Sequence, residues 1–172
     1  LGVHWIDLYR WLLNSEIIEV TGKNVHVNKN YNIEDNSFAI ASFESGATLA
    51  LDISYTVPAS YPVGRDLYLA IRGTEGALSF APSFEGTQQT LFICSNHKKF
   101  DGAPRQTIQF ELESVTGYSG SLGLEYVKEI ADNILEGNAP FIGGDDAVKV
   151  LQVVEAIYES DQSSRTVKVK YE

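Results

Sequence analysis

Histidine, cysteine and nearby carboxylates are the residue types in this 172-residue chain that could carry chemistry of their own. His4 comes first, because an imidazole with an ordinary pKa near ~6.5 takes and gives protons at neutral pH. Asp7 follows three residues later. On a helix that spacing puts both side chains on one side. There Asp7 could orient the imidazole, bind a hydroxyl, or serve as a cap or solvated charge. Without further context the bland reading of His4, packed beside Leu8 and Trp11, takes precedence, since only geometry establishes a catalytic partner. His26 falls in a strand-like run and His97 in a polar loop, and both read as surface residues. A metal site built from the three histidines would need distant segments to converge, and no short ligand spacing supports one, so no metal is expected. Cys94, the single cysteine, lies within an apolar strand, where a buried, inert thiol is the default. Ser119-Gly120-Ser121-Leu122-Gly123 has no strained strand-to-helix elbow and reads as a helix-entry loop. Gly143-Gly144-Asp145-Asp146 carries two carboxylates that argue against phosphate. No Gly-x-Gly-x-x-Gly opens a βαβ unit, so no nucleotide site is visible in this chain.

These residues need elements to position them. Residues 1–13 read as a helix. At about 100° per residue His4, Asp7, Leu8 and Trp11 share one face, while Val3, Ile6 and Leu13 lie opposite. Such a helix is apolar nearly all round and is buried on more than one side. It starts at the first residue with no cap, and the chain has no Met. The expectation is a piece of a longer protein whose missing portion covers the second face. Strands are expected at 16–27, 37–44, 47–56, 65–72, 77–80, 90–95, 106–113 and 166–171, from period-two alternation bounded by turn residues. Loops fall at 28–36, 57–64, 81–89 and 96–105, the second carrying Pro58 and Pro62. Helices are expected at 122–136, with Ser121 as N-cap and Gly137-Asn138 as stop, and from Asp145 or Asp146 to about Ser160. The second of these has Val148, Leu151, Val154, Ala156 and Tyr158 among its apolar positions. This order implies an α+β fold: one open, largely antiparallel mixed sheet with helices packed on one face. Residues 47–55 are too apolar for a wet sheet face, which favours a partner subunit.

Composition sets the remaining bounds. The chain is long enough for one domain, and its 44% hydrophobic and 21% charged residues are ordinary for a folded protein. No apolar run nears the ~18 residues needed to span a bilayer, and no signal peptide is visible. With one cysteine and no leader, a cytoplasmic setting is expected. The formal charge of −10 disfavours nucleic acid and anionic membranes.

The order of four segments is more specific than any one motif: Leu1-Gly2-Val3-His4-Trp5-Ile6-Asp7, then Phe43-Glu44-Ser45-Gly46-Ala47, then Ile71-Arg72-Gly73-Thr74-Glu75-Gly76-Ala77-Leu78, then Asp145-Asp146-Ala147 through Val154-Glu155-Ala156-Ile157-Tyr158-Glu159-Ser160. Over essentially its whole length the chain resembles the C-terminal domain of the glucose-fructose oxidoreductase and inositol dehydrogenase (Gfo/Idh/MocA) family. The resemblance implies an N-terminal Rossmann domain, absent from residues 1–172, that binds NAD or NADP in the parent protein; this part alone would bind neither. It implies that residues 1–172 form a single substrate and oligomerisation domain, that the parent oxidises or reduces a sugar or polyol hydroxyl, and that the open sheet face makes a homo-oligomer. His4 matches the histidine of the family's Asp-x-x-x-His signature, whose Asp would fall one place before Leu1; the catalytic Lys belongs to the Rossmann domain. His4 would then exchange a proton with the substrate hydroxyl, with Asp7 beside it as a second substrate contact, and residues 55–64 and 113–121 would carry specificity. A rival reading is a non-catalytic binding or assembly module that dimerises through its sheet.

Overall fold

The computed structural model describes residues 2–58, 60, 67–81, 88–117, 119–140 and 142–171. In chain order the elements are α1 (Gly2–Leu13), β1 (Ile17–Val25), β2 (Asn36–Phe43), β3 (Thr48–Ser54), β4 (Leu69–Gly73), β5 (Gly76–Phe80), β6 (Gln88–Ser95), β7 (Arg105–Glu111), α2 (Gly120–Glu136), α3 (Gly144–Ser163) and β8 (Val167–Lys168). This is an α+β chain, as the segment order implied. The strands pair differently from the single mixed sheet expected. Among the described residues they form two four-stranded sheets, β3-β2-β1-β8 and β4-β5-β6-β7, and every ladder is antiparallel. Pro58 and Pro62, in the segment joining β3 to β4, have no N–H to extend a ladder. The chain divides into two compact units, Leu1–Thr56 with Pro140–Glu172, and Val57–Ala139.

In the first unit the register Val20↔Ala41↔Leu49 and Gly22↔Ala39↔Leu51 puts small and branched side chains on one sheet face. α1 and α3 cover that face. Ile6 from α1 and Val150, Val153, Ala156 and Ile157 from α3 join Ile17, Val20, Phe43 and Val167 in one core. Of the apolar positions expected on α3, Ala156 lies in the core and Val154 packs against it, while Val148 and Leu151 point outward. This helix is apolar on more than one side, so periodicity alone does not choose the buried face. α3 lies so close to β1 that a Cβ on Gly22 would sit 2.8 Å from Ile157 Cγ2 and 3.1 Å from Ile157 O. The buried Ser160 hydroxyl accepts from Gly22 N–H (2.9 Å) and donates to Arg165 O (2.6 Å). That pair of bonds carries α3 on to Ser163, past the expected fraying point. At its start Asp146 accepts from the Gly143 N–H at 3.0 Å, the N-terminal carboxylate role expected of this segment. The final strand has only a two-residue ladder, yet Val169 N–H still reaches Ile18 O at 2.9 Å beyond the bulge between Ile17 and Glu19.

In the second unit β4 to β7 form a meander, with Phe80 and Phe110 stacked at 6.4 Å on one face. α2 begins at Gly120, after Ser119 in a left-handed conformation (φ 62), and ends at Gly137 (φ 71). Ser121 therefore lies within the first turn instead of capping it, because two flanking residues with positive φ set the turn one step earlier.

Candidate active site

α1 holds the candidate residues His4 and Asp7, and its two faces meet different surroundings. Ile6, at 1% exposure, locks one side into the core, with Tyr9 and Leu13 packed against it. The helix stops where Asn14 turns left-handed (φ 44), and the Ser15 N–H bonds back to Arg10 O at 3.2 Å. On the other side His4, Asp7, Leu8 and Trp11 line an open cleft of about 660 Å³, together with Glu44, Ile142 and Asp146. The face expected from helical spacing is therefore present, and it is open. The His4 ring is exposed and forms no hydrogen bond with a described residue. Asp7 lies in the same cleft, but its Oδ1 accepts from Arg10 Nη1 at 3.2 Å, so it is anchored to the helix and not to His4.

Arg10 is the residue that sequence reasoning missed. It is only 7% exposed, and with Glu16 it lines the same cleft. Its Nε donates to Glu16 Oε2 (2.6 Å) and its Nη2 to Glu16 Oε1 (3.0 Å), a two-point clamp across the α1–β1 turn. Asp146 of α3 approaches Nη2 at 3.6 Å, and Lys149 donates to Glu16 Oε1 at 2.8 Å. The cluster ties the C-terminal turn of α1 to the start of β1 and to the first turns of α3. Hydrogen bonding to Arg10 outweighs the cost of burial and, with Lys149, holds Glu16 at about 2. The same bond raises Arg10 against desolvation. Tyr171 is pushed up to about 12, first by burial and then by the Glu16 charge, while its hydroxyl donates to Ile17 O at 2.7 Å. A readable signal did exist in Asp7-x-x-Arg10, an i, i+3 charge pair at the end of an otherwise apolar helix.

The other candidates do not join this cleft. His26 Nε2 pairs with Asn28 O at 2.8 Å, and His97 Nδ1 accepts from Lys99 N–H at 3.2 Å. Both are exposed, as surface histidines should be. Cys94 is exposed as well, which corrects the expectation of a buried thiol; it lies on β6 and lines a shallow groove. Among the described residues no group of His, Cys, Asp and Glu is arranged to hold a metal ion. No helix among them is long and apolar enough to cross a membrane. Of the two segments expected to carry specificity, residues 59, 61–64 and 118 lie outside the described residues. Tyr55, at the start of the first, lines a separate cavity of about 410 Å³ with Val3 and Ile6, on the side of α1 away from His4.

The sequence profile of an oxidoreductase family's C-terminal alpha/beta domain, GFO_IDH_MocA_C, matches residues 1–169. The chain is 24% identical over 169 residues to D-apiose dehydrogenase of Rhizobium rhizogenes, covering 98% of this chain and 47% of that protein. It is 26% identical over 159 residues to scyllo-inositol 2-dehydrogenase (NAD(+)) of Bacillus subtilis, covering 88% and 41%. The chain thus spans about half the length of the curated relatives it matches. Its fold is similar to that of aldose-aldose oxidoreductase from Caulobacter crescentus, solved with glycerol, at a TM-score of 0.71 and 22% identity, over 97% of this chain and 45% of that one.

Proposed function

The chain belongs to the Gfo/Idh/MocA oxidoreductase family as its C-terminal alpha/beta domain, and on that premise we propose that it is the substrate-binding and oligomerisation part of an NAD- or NADP-dependent enzyme acting on a sugar or polyol hydroxyl. Residues 1–172 serve as one C-terminal domain, the dinucleotide is held by a preceding Rossmann domain, and the parent works in the cytoplasm. The observation that carries this reading is the His4 ring. It is exposed and without a hydrogen-bond partner among the described residues, in an open cleft, on a helix whose opposite face is locked into the core and whose end is clamped by Arg10. A bound nicotinamide supplies the hydride chemistry at the reacting carbon. His4 takes the hydroxyl proton as that carbon is oxidised and returns it in the reverse direction. Asp7, held by Arg10, keeps its second carboxylate oxygen for a neighbouring substrate hydroxyl. In the parent protein, NAD(P)H turnover with sugars and polyols tests the assignment; full activity in His4→Ala would sink it.

The assembly part of the proposal rests on the sheet face turned away from α1 and α3. Phe38 and Ile40 stand 41% and 52% exposed there, beside Ala50 and Thr21. An apolar patch of this kind marks an interface, here with a second copy of the chain. The rival reading, a non-catalytic assembly module, draws on the same face. It would win if the parent bound no dinucleotide while still dimerising through this face.

A further inference from the structure

The cleft beside His4 contains an arginine, the residue best suited to gripping a substrate carboxylate or phosphate. Here its fork is already taken up by the protein. Arg10 Nε and Nη2 donate to the two Glu16 oxygens at 2.6 and 3.0 Å, Nη1 donates to Asp7 Oδ1 at 3.2 Å, and Asp146 Oδ1 lies 3.6 Å from Nη2. Turning this buried guanidinium toward a ligand would strip the part-buried Glu16 of its two-point partner, a costly exchange. Lys149 is engaged as well, donating to Glu16 Oε1 at 2.8 Å. Among the described residues no other lysine or arginine lines the cleft.

The carboxylates outnumber these cations. Asp7, Glu16, Glu44 and Asp146 all line the cleft, and Glu16, held at about 2, is ionised at any working pH. With His4 neutral, four carboxylates against Arg10 and Lys149 leave a local charge of −2. Two groups keep acceptor oxygens that meet no described donor: Asp7, through its second oxygen, and the exposed carboxylate of Glu44. Ionised carboxylates only accept, so the ligand groups that match them are hydroxyl donors.

We propose that this cleft selects uncharged polyhydroxy substrates, with Glu44 and Asp7 as the specificity-determining carboxylates that turn away sugar acids and sugar phosphates; the inference rests on the cleft being the substrate site of a sugar or polyol oxidoreductase. An anionic substituent entering it meets a net negative field. It also finds no cation to offset the water it gives up. A hydroxyl in the same place donates to Asp7 or Glu44.

The test uses the parent protein with its dinucleotide and matched substrates of increasing charge: glucose, glucuronate and glucose 6-phosphate; galactose, galacturonate and galactose 6-phosphate; scyllo-inositol and its monophosphate. Two net charges at ~8 Å in a water-like dielectric correspond to about fivefold per substrate charge. Within each set, kcat/KM at low salt should therefore fall by about fivefold or more for each negative charge added, through KM, and added salt should narrow the gap. Glu44→Lys changes the cleft by two charges and should raise the ratio of acid to neutral kcat/KM about fivefold; Glu44→Gln, the milder variant, should raise it about twofold. Acids turned over as well as their neutral partners would overturn the selectivity and leave the sugar oxidoreductase reading intact. So would a penalty on acids that neither salt nor Glu44→Lys changes, which would be steric. No turnover with any member of the panel would overturn both.

Discussion

Replacing Glu16 by Gln removes the carboxylate that receives both arms of Arg10 and the Lys149 ammonium. Arg10 would then keep only Asp7 at 3.2 Å and Asp146 at 3.6 Å. Lowering Glu16 from 4.5 to about 2 on folding corresponds to ~3 kcal/mol at full strength. Because this side chain is 26% exposed, solvent screening reduces that to about 1–2 kcal/mol. The sign follows from the direction of the shift. Folding favours the ionised form, so the contribution is complete above about 4.5, the ordinary glutamic acid value, and is lost as the pH falls through about 2. Urea denaturation of wild type and Glu16→Gln at a series of pH values should therefore show a gap of about 1–2 kcal/mol at pH 7, or ~3–6 °C in melting temperature. The gap should close between pH 4.5 and 2. A difference that stayed constant across that range would mean the substitution acts through packing, and would refute the charge clamp as the element that fixes α1.

Three further outcomes follow from the same geometry. Gly22→Ala should destabilise the fold by about 1–3 kcal/mol, because the new methyl meets both the side chain and the carbonyl of Ile157; the unfolding midpoint reports it. Ser160→Ala should cost about 1–3 kcal/mol by leaving Gly22 N–H and Arg165 O without their hydroxyl, again read as a shift in urea midpoint at unchanged slope. Ile40→Lys, on the open sheet face, should shift the sedimentation profile toward monomer while leaving the unfolding free energy of the monomer within about 0.5 kcal/mol of wild type, since the side chain is already half exposed.

How much of this was legible beforehand depended on whether an element has one apolar face or two. That His4, Asp7, Leu8 and Trp11 share one face of α1 followed from spacing alone, but which side packs into the core did not, because the helix is apolar nearly all round. On α3 the apolar residues run round the helix, and only packing against Gly22 and Val20 selects Val150, Val153 and Ile157 over Val148 and Leu151. Cys94 was misplaced for a related reason: an apolar strand has two faces, and the row Arg72, Ala77, Cys94, Arg105 becomes visible only once four strands are in register. The Arg10 cluster draws on α1, the start of β1 and the first turns of α3, and no local pattern reports that those segments meet. The family resemblance supplied what spacing could not, a reason to weigh His4 as chemistry and not as packing. The structure contributes the observation that the His4 ring is left open while Asp7 beside it is held.

The central claim, that His4 moves the substrate proton, is most directly tested in the parent protein carrying its dinucleotide domain. Steady-state NAD(P)H turnover against a panel of sugars and polyols should fall by about 10²-fold or more in His4→Ala. Because the ring is exposed and tied to no described partner, the melting temperature and dinucleotide affinity should stay at wild-type values. Undiminished turnover in a folded, cofactor-binding His4→Ala protein would contradict the account.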